Sequence, residues 1–237
     1  MVAGPGRRRI ALWLTGRVEF PLLASLPEAA RQGLLDHARR RRFARREVVF
    51  HEGDPADSLH LVRSGRLGVQ VSTPDGQVAM LRVLTPGQHF GDMALVGAGR
   101  RRSATVVALE PAETLSISST TFHALRAQHP EVREVVLTAL VLRVDDLSQR
   151  LLEAQYDGLD RRVARHLALL CEAYADPAEP DGPVEVPLTQ EQLAAFVGGT
   201  RPSVNAVLRR LEDRRIIELS RGRLVVRDRA ALVARLA

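Results

Sequence analysis

The sequence predicts an α+β chain built from a jelly-roll-like β-roll, a long helix and a small winged helix-turn-helix domain. Three observations predict it. Short strand signals alternate with turns from Arg42 to Ser118, neither Gly nor Pro interrupts a helical pattern from Glu131 to Gln155, and two capped helical segments flank Gly198-Gly199. At 237 residues the chain is long enough for two cores. The expected divisions are an N-terminal extension (1–26), the β-roll (27–129), the long helix (130–156) and the C-terminal domain (157–237).

Met1 to Arg9 is rich in Gly, Pro and Arg and is expected to be disordered. A helix is expected over Pro27–Arg39, where Pro27 suits the first turn and Leu34, Leu35 and Ala38 share a face. Val48-Val49-Phe50 then leads into the turn Glu52-Gly53-Asp54-Pro55, and Leu59 to Val62 ends at Ser64-Gly65. Leu67 to Val71 alternates and stops at Thr73-Pro74-Asp75-Gly76, a hairpin signal. Val78 to Leu84 closes at Pro86-Gly87, and two further strands flank Glu110-Pro111. Many short strands with regular turns indicate a roll or barrel.

In the long helix, Leu137, Leu140, Val144, Leu147, Leu151 and Ala154 recur at alternating intervals of three and four. That is the seam of a two-stranded coiled coil, so a homodimer is expected; the same stripe could instead pack on its own β-roll. Asp157-Gly158 breaks the helix and is the expected hinge. A helix follows over about Leu159–Tyr174, then an exposed loop from Asp176 to Pro183.

Thr189 can cap the next helix, with Gln192 completing a capping box. Gly198-Gly199 makes the turn, and Thr200 caps a second helix that tolerates Pro202 in its first turn. Val204, Val207, Leu208 and Leu211 form its buried stripe, leaving Arg201, Ser203, Asn205, Arg209 and Arg210 outward or at the rim. In such a motif the second helix enters the major groove of duplex DNA N-terminus first. Arg201 stands where a guanidinium could take guanine O6 and N7 together, and Ser203 and Asn205 could bond phosphates or base edges. Residues 216–226 read as a β-hairpin wing with Arg221 and Arg223 at its turn, placed for phosphates.

Charge supports a polyanionic partner. All 34 basic residues are arginine, the formal charge is +6, and residues 189–237 hold ten arginines against five acids. The single cysteine, Cys171, excludes an internal disulfide and sits in an apolar helical run, as a structural thiol does. No apolar run is long enough to span a bilayer, and the apolar stretch Ile10–Leu14 is too short for a signal peptide, so the chain reads as cytoplasmic. The seven histidines are scattered without metal spacing, and Gly97-x-Gly99 lacks a phosphate-loop lysine. An enzyme is therefore the least supported class, and no metal is expected.

The most specific segment is Phe90-Gly91-Asp92-Met93-Ala94-Leu95, followed by Arg102-Ser103-Ala104-Thr105-Val106. Free amides after a Gly turn, a guanidinium fork and a hydroxyl make an anion cradle, while an adjacent carboxylate repels phosphate but accepts from sugar hydroxyls. Phosphate plus ribose in so small a site suggests a cyclic mononucleotide. This pattern resembles the phosphate-binding cassette of cyclic-nucleotide-binding domains, and the residues beyond it resemble the CRP/FNR (cyclic AMP receptor protein) transcription regulators.

The resemblance implies that Arg102 and Ser103 hold the cyclic phosphate with amides after Gly91, along Met93 and Ala94, and that Asp92 meets the ribose 2′-hydroxyl. It implies apolar walls at Val69 and Leu81, an Arg143 paired with the cassette acid, a Ser148 reaching the base from the partner subunit, and contact with RNA polymerase. Two departures matter: the family acid is usually Glu, and Leu147 stands where the best-known cyclic-AMP receptor has threonine. Asp is shorter by roughly 1.4 Å, which weakens a direct ribose bond by on the order of 1.5–3 kcal/mol. The leading expectation is a homodimeric regulator controlled by cyclic AMP, with cyclic GMP as the second ligand, bound between β-roll and long helix. The alternatives are a ligand-independent regulator and a nucleotide-binding module that acts on a protein partner.

Overall fold

The computed structural model describes residues 18–72, 78–95, 99–129, 132–176, 178–179 and 182–236. The sequence expectations for Met1–Arg9, the turn Thr73–Gly76 and Gly97 lie outside these residues. The chain forms two compact units, one of residues 1–71 and 83–146, the other of residues 72–82 and 147–237.

In the first unit, a 3₁₀ turn at Pro21–Leu23 and helix α1 (Glu28–Asp36) precede the strands. Residues 20–26, which sequence assigned to an extension, supply fully buried Leu22 and Leu23 together with Leu26 to the core. Helix α1 ends three residues earlier than expected, because Arg39–Phe43 forms strand β1 instead. Four arginines carry little strand preference, so tertiary pairing decides. β1 runs antiparallel to β8 (Ala112–Ser118) from Arg39↔Ser116 to Phe43↔Ala112, and Phe43 enters the core. Glu113 on β8 accepts from Arg40 at 2.8 Å, Arg42 at 3.3 Å and Arg63 at 3.0 Å, which keeps the arginine-rich edge from repelling itself and holds the Glu113 carboxyl below its usual range.

The remaining strands are β2 (Val48–Phe50), β3 (Ser58–Ser64), β4 (Leu67–Ser72), β5 (Val78–Leu84), β6 (His89–Phe90) and β7 (Thr105–Ala108). They complete two four-stranded sheets, ordered β1-β8-β3-β6 and β2-β7-β4-β5, with antiparallel pairing. Phe43, Val62, Leu67, Leu84, Phe90, Val106 and Ala108 pack between them. A second cluster, with Leu34, Leu59, Leu61, Ile117, Phe122 and Val135, fastens α1, α2 (Ser119–Gln128) and the start of α3 (Arg133–Tyr156) to the sheet. The expected β-roll and long helix are thus present.

Along α3, Leu137, Leu140, Val144, Leu147 and Leu151 are each at least half exposed. The stripe does not disappear into the chain's own roll.

The second unit is a three-helix core with a small sheet. It contains α4 (Leu159–Tyr174), β9 (Val184–Val186), α5 (Gln190–Val197), α6 (Arg201–Asp213), β10 (Ile217–Ser220), β11 (Arg223–Val226) and α7 (Arg229–Val233). The sheet order is β10-β11-β9. β9 and α7 were not read from the sequence: β9 is three residues long and shows only as Val184 and Val186 facing inward. Asp157-Gly158 does separate α3 from α4, but the break is pinned. The Asp157 carboxylate is almost wholly buried and accepts from Arg165 at 2.8 Å. Cys171 is buried, which pushes its thiol up to about 11 and leaves it unreactive.

Candidate ligand cradle and nucleic-acid interface

The cradle begins at the end of β6. Gly91 has φ +85°, and a Cβ there would lie 2.6 Å from the Ser58 carbonyl oxygen and 2.8 Å from Arg102 Nη1. Only glycine permits both the left-handed backbone and this approach. A 3₁₀ turn over Asp92–Leu95 follows, with Asp92 and Met93 half-buried and Ala94 buried. The return segment is zipped to the turn after β2. The Gly53 N–H donates to the Arg102 carbonyl (2.9 Å), the Arg102 N–H to the Asp54 carbonyl (2.8 Å), and the Ala56 N–H to the Arg100 carbonyl (2.9 Å).

Arg102 is 4% exposed. Its Nη1 donates to the Ser58 carbonyl (2.7 Å), its Nη2 donates to Asp57 Oδ1 (2.8 Å) and Ser58 Oγ (3.0 Å), and the guanidinium lies 4.0 Å from the Phe50 ring centroid. Burial pulls its pKa down, while Asp57, Asp54 and Asp92 pull it back; arginine stays charged. Ser103 is exposed beside it. Sequence reasoning placed the fork free for phosphate; in the structure Asp57, which that reasoning missed, holds it. Asp57 is an exposed carboxylate, so a phosphate can take its place at little cost in burial. Its only sequence signal is an acid shortly after the Gly53-Asp54-Pro55 turn, directly before a strand.

Arg143 also differs from expectation. It pairs with Asp146 at 3.3 Å, one turn along its own helix, rather than with Asp92. Val69 is half-buried against the sandwich core, Leu81 is half-buried on β5, and Ser148 is exposed on α3. The structure therefore brings Gly91, Asp92, Met93, Ala94, Arg102 and Ser103 into one cradle, whereas Leu81 and Ser148 fall in the second unit.

His60, also missed, backs this network. One ring nitrogen lies 3.2 Å from Ser58 Oγ and the other 3.0 Å from Thr114 Oγ1, and the ring stacks on Phe90 at 4.9 Å. Burial first, then the Arg102 and Arg41 charges, push its pKa from 6.5 down to about 3. Between these values the unfolded chain binds a proton that the native chain refuses, so stability falls as pH drops from about 6.5 to about 3. His60→Gln is expected to remove up to one proton's share of that slope, about 1.4 kcal/mol per pH unit, in urea unfolding measured over this range. Identical slopes in variant and parent would refute the buried neutral imidazole.

In the second unit, Thr189 and Gln192 form the expected capping box, with bonds of 3.1 and 2.9 Å. Gly198 caps α5 at φ +70°, and Thr200 caps α6 by accepting from the Ser203 N–H. Arg201 and Ser203 are exposed at the start of α6, and Arg221 is exposed at the wing turn. Asn205 is half-buried with its Oδ1 enclosed and unpartnered, so it sits at the rim of the helix rather than on its open face. Arg209 pairs with Glu212 (2.8 Å), Arg210 with Asp160 (2.5 Å) and Arg223 with Glu185 (3.0 Å). These pairs are exposed and exchangeable, but they leave Arg201 and Arg221 as the more available cations. Among the described residues no group of His, Cys, Asp and Glu could hold a metal ion, and no helix is long and apolar enough to cross a membrane.

Two family models match: a cyclic nucleotide-binding domain over residues 40–129 and a Crp-like helix-turn-helix domain over residues 161–235. The chain belongs to the CRP/FNR family of transcription regulators. Among its relatives, a cAMP-activated global transcriptional regulator from Pasteurella multocida is 27% identical over 192 residues, covering 81% of this chain and 91% of that protein. A CRP-like cAMP-activated regulator from Mycobacterium tuberculosis is 28% identical over 193 residues, covering 81% and 86%. A solved CRP-family transcriptional regulator from Thermus thermophilus superposes with a TM-score of 0.68 at 27% identity, covering 83% of this chain and 96% of that one. Both halves of the CRP/FNR plan, a cyclic-nucleotide-binding fold and a DNA-binding helix-turn-helix, are therefore present in one regulator.

Proposed function

We propose that this regulator is a cytoplasmic homodimer that binds a cyclic nucleotide, foremost cyclic AMP, in the Gly91–Ser103 cradle, and that the bound state favours duplex DNA binding and contact with RNA polymerase. The proposed working parts are the β-roll at 27–129, the dimerising helix at 130–156 and the DNA-binding domain at 157–237. Its role is regulatory rather than catalytic. The observation that carries this reading is Arg102, a buried guanidinium that is anchored on Ser58 and whose one ion-pair partner is the exchangeable, exposed carboxylate of Asp57, beside a Gly turn and the exposed Ser103. A cyclic phosphate would displace Asp57, with Ser103 and the amides after Gly91 completing its shell and Asp92 turned to the ribose. Cyclic-AMP-activated relatives support the same ligand. A nucleotide shifts the regulator only through unequal affinity for its two states.

Isothermal titration of the dimer with cyclic AMP and cyclic GMP tests this, and absence of heat with both would remove the ligand from the proposal. The DNA half has its own test. Arg201→Ala is expected to weaken a specific duplex by about 1–3 kcal/mol and to relax base preference at one position per half-site, read by anisotropy on a duplex library. A uniform loss across all sequences would make Arg201 a phosphate contact instead.

A further inference from the structure

Helix α2 and the start of α3 border a cleft of about 290 Å³ lined by His123, Arg126, Ala127 and Arg133, none of them a cradle residue. Among the described residues, no carboxylate lines it. Arg126 is half-buried, yet neither it nor Arg133 has a hydrogen-bond or ion-pair partner among the described residues. Elsewhere in this unit, arginines at similar depth find acids, as Arg66 does with Glu110 at 2.6 Å and Arg143 with Asp146. His123 Nδ1 is sealed from solvent without a partner, and its ring is set edge-on to Phe122 at 5.9 Å. Burying a cationic or polar group without a partner is unfavourable, and here half-buried Arg126 and the sealed His123 nitrogen lie at one concavity with the exposed guanidinium of Arg133.

We propose that this cleft is a second anion site, suited to a phosphate group either free or as the monoester of a small metabolite. A carboxylate is satisfied by a single guanidinium fork. Two guanidiniums and an imidazole from three residues better match the several oxygens of a tetrahedral dianion. Ala127 contributes only a methyl group and leaves room for it. None of its lining residues belongs to the nucleotide cradle, so the proposal does not rest on what that cradle binds.

The test titrates the full-length chain with inorganic phosphate and, separately, with glycerol 3-phosphate, at ionic strength held constant with chloride. Saturable binding is expected, with the imidazole resonances of His123, assigned through His123→Gln, shifting along the same isotherm. Arg126→Gln/Arg133→Gln is expected to weaken binding at least about tenfold, as loss of charge-assisted bonds requires. Tighter binding of one probe identifies the source as free phosphate or monoester. No saturable binding, or binding that survives the double substitution and leaves His123 unshifted, overturns the proposal.

Discussion

Arg102→Ala is expected to lower cyclic-nucleotide affinity about 100-fold, on the order of 3 kcal/mol, and to abolish nucleotide-stimulated DNA binding while basal binding persists. Its cradle offers one buried guanidinium, and neither Ser103 nor backbone amides carry a compensating charge. The same change is expected to cost the β-roll about 2–3 kcal/mol of stability. Removing the side chain strips the Ser58 carbonyl of its 2.7 Å donor and the Phe50 face of its guanidinium, and it opens a cavity at a site only 4% exposed. Asp57 adds little to this cost, because its exposed carboxylate is rehydrated. Arg102→Lys separates the two effects: it keeps the charge and much of the packing but not the fork, so stability should recover more than affinity does. Titration calorimetry and urea unfolding read the two quantities. Nucleotide stimulation that survives in a folded Arg102→Ala chain would place the ligand elsewhere.

The second large effect is expected from Leu140→Glu/Leu147→Glu on α3. Both leucines are 50% exposed in the single chain, so the protomer's unfolding midpoint should barely change. In a dimer seam, by contrast, four carboxylates would be forced against apolar neighbours, which is costly. The variant is expected to sediment as a monomer. Its affinity for a duplex with two half-sites should fall at least about 100-fold, because the second contact loses its effective concentration. A variant that remains dimeric at micromolar concentration would show that the stripe is not the seam.

Much of the architecture was legible because it rests on local rules. The capping box at Thr189 and Gln192, the turn at Gly198-Gly199 and the N-cap at Thr200 need only near neighbours, and all three formed as read. The Gly91 turn was equally visible, since few residues tolerate its backbone. The strand Arg39–Phe43 was not, because its conformation comes from β8, 69 to 77 residues away, and its charges are balanced by Glu113. Asp57 and His60 were hidden for the same reason. One is an ordinary loop acid, the other a histidine in a strand, until the fold sets them against Arg102, Ser58 and Thr114.

Sequence alone determined most of the elements of this regulator, where several helices are capped, and that a Gly-turn cassette and a helix-turn-helix share one chain, because periodicity, turn chemistry and charge act over a few residues. Tertiary structure decided which partner each charged group has. It gave the Arg102 fork to Asp57 and Ser58, Arg143 to Asp146 and Arg209 to Glu212, and it left Arg201, Arg221 and the exposed apolar stripe of α3 without a covering partner among the described residues. Electrostatic pairing and burial depend on distances through space, and those distances exist only once the strands and helices are packed.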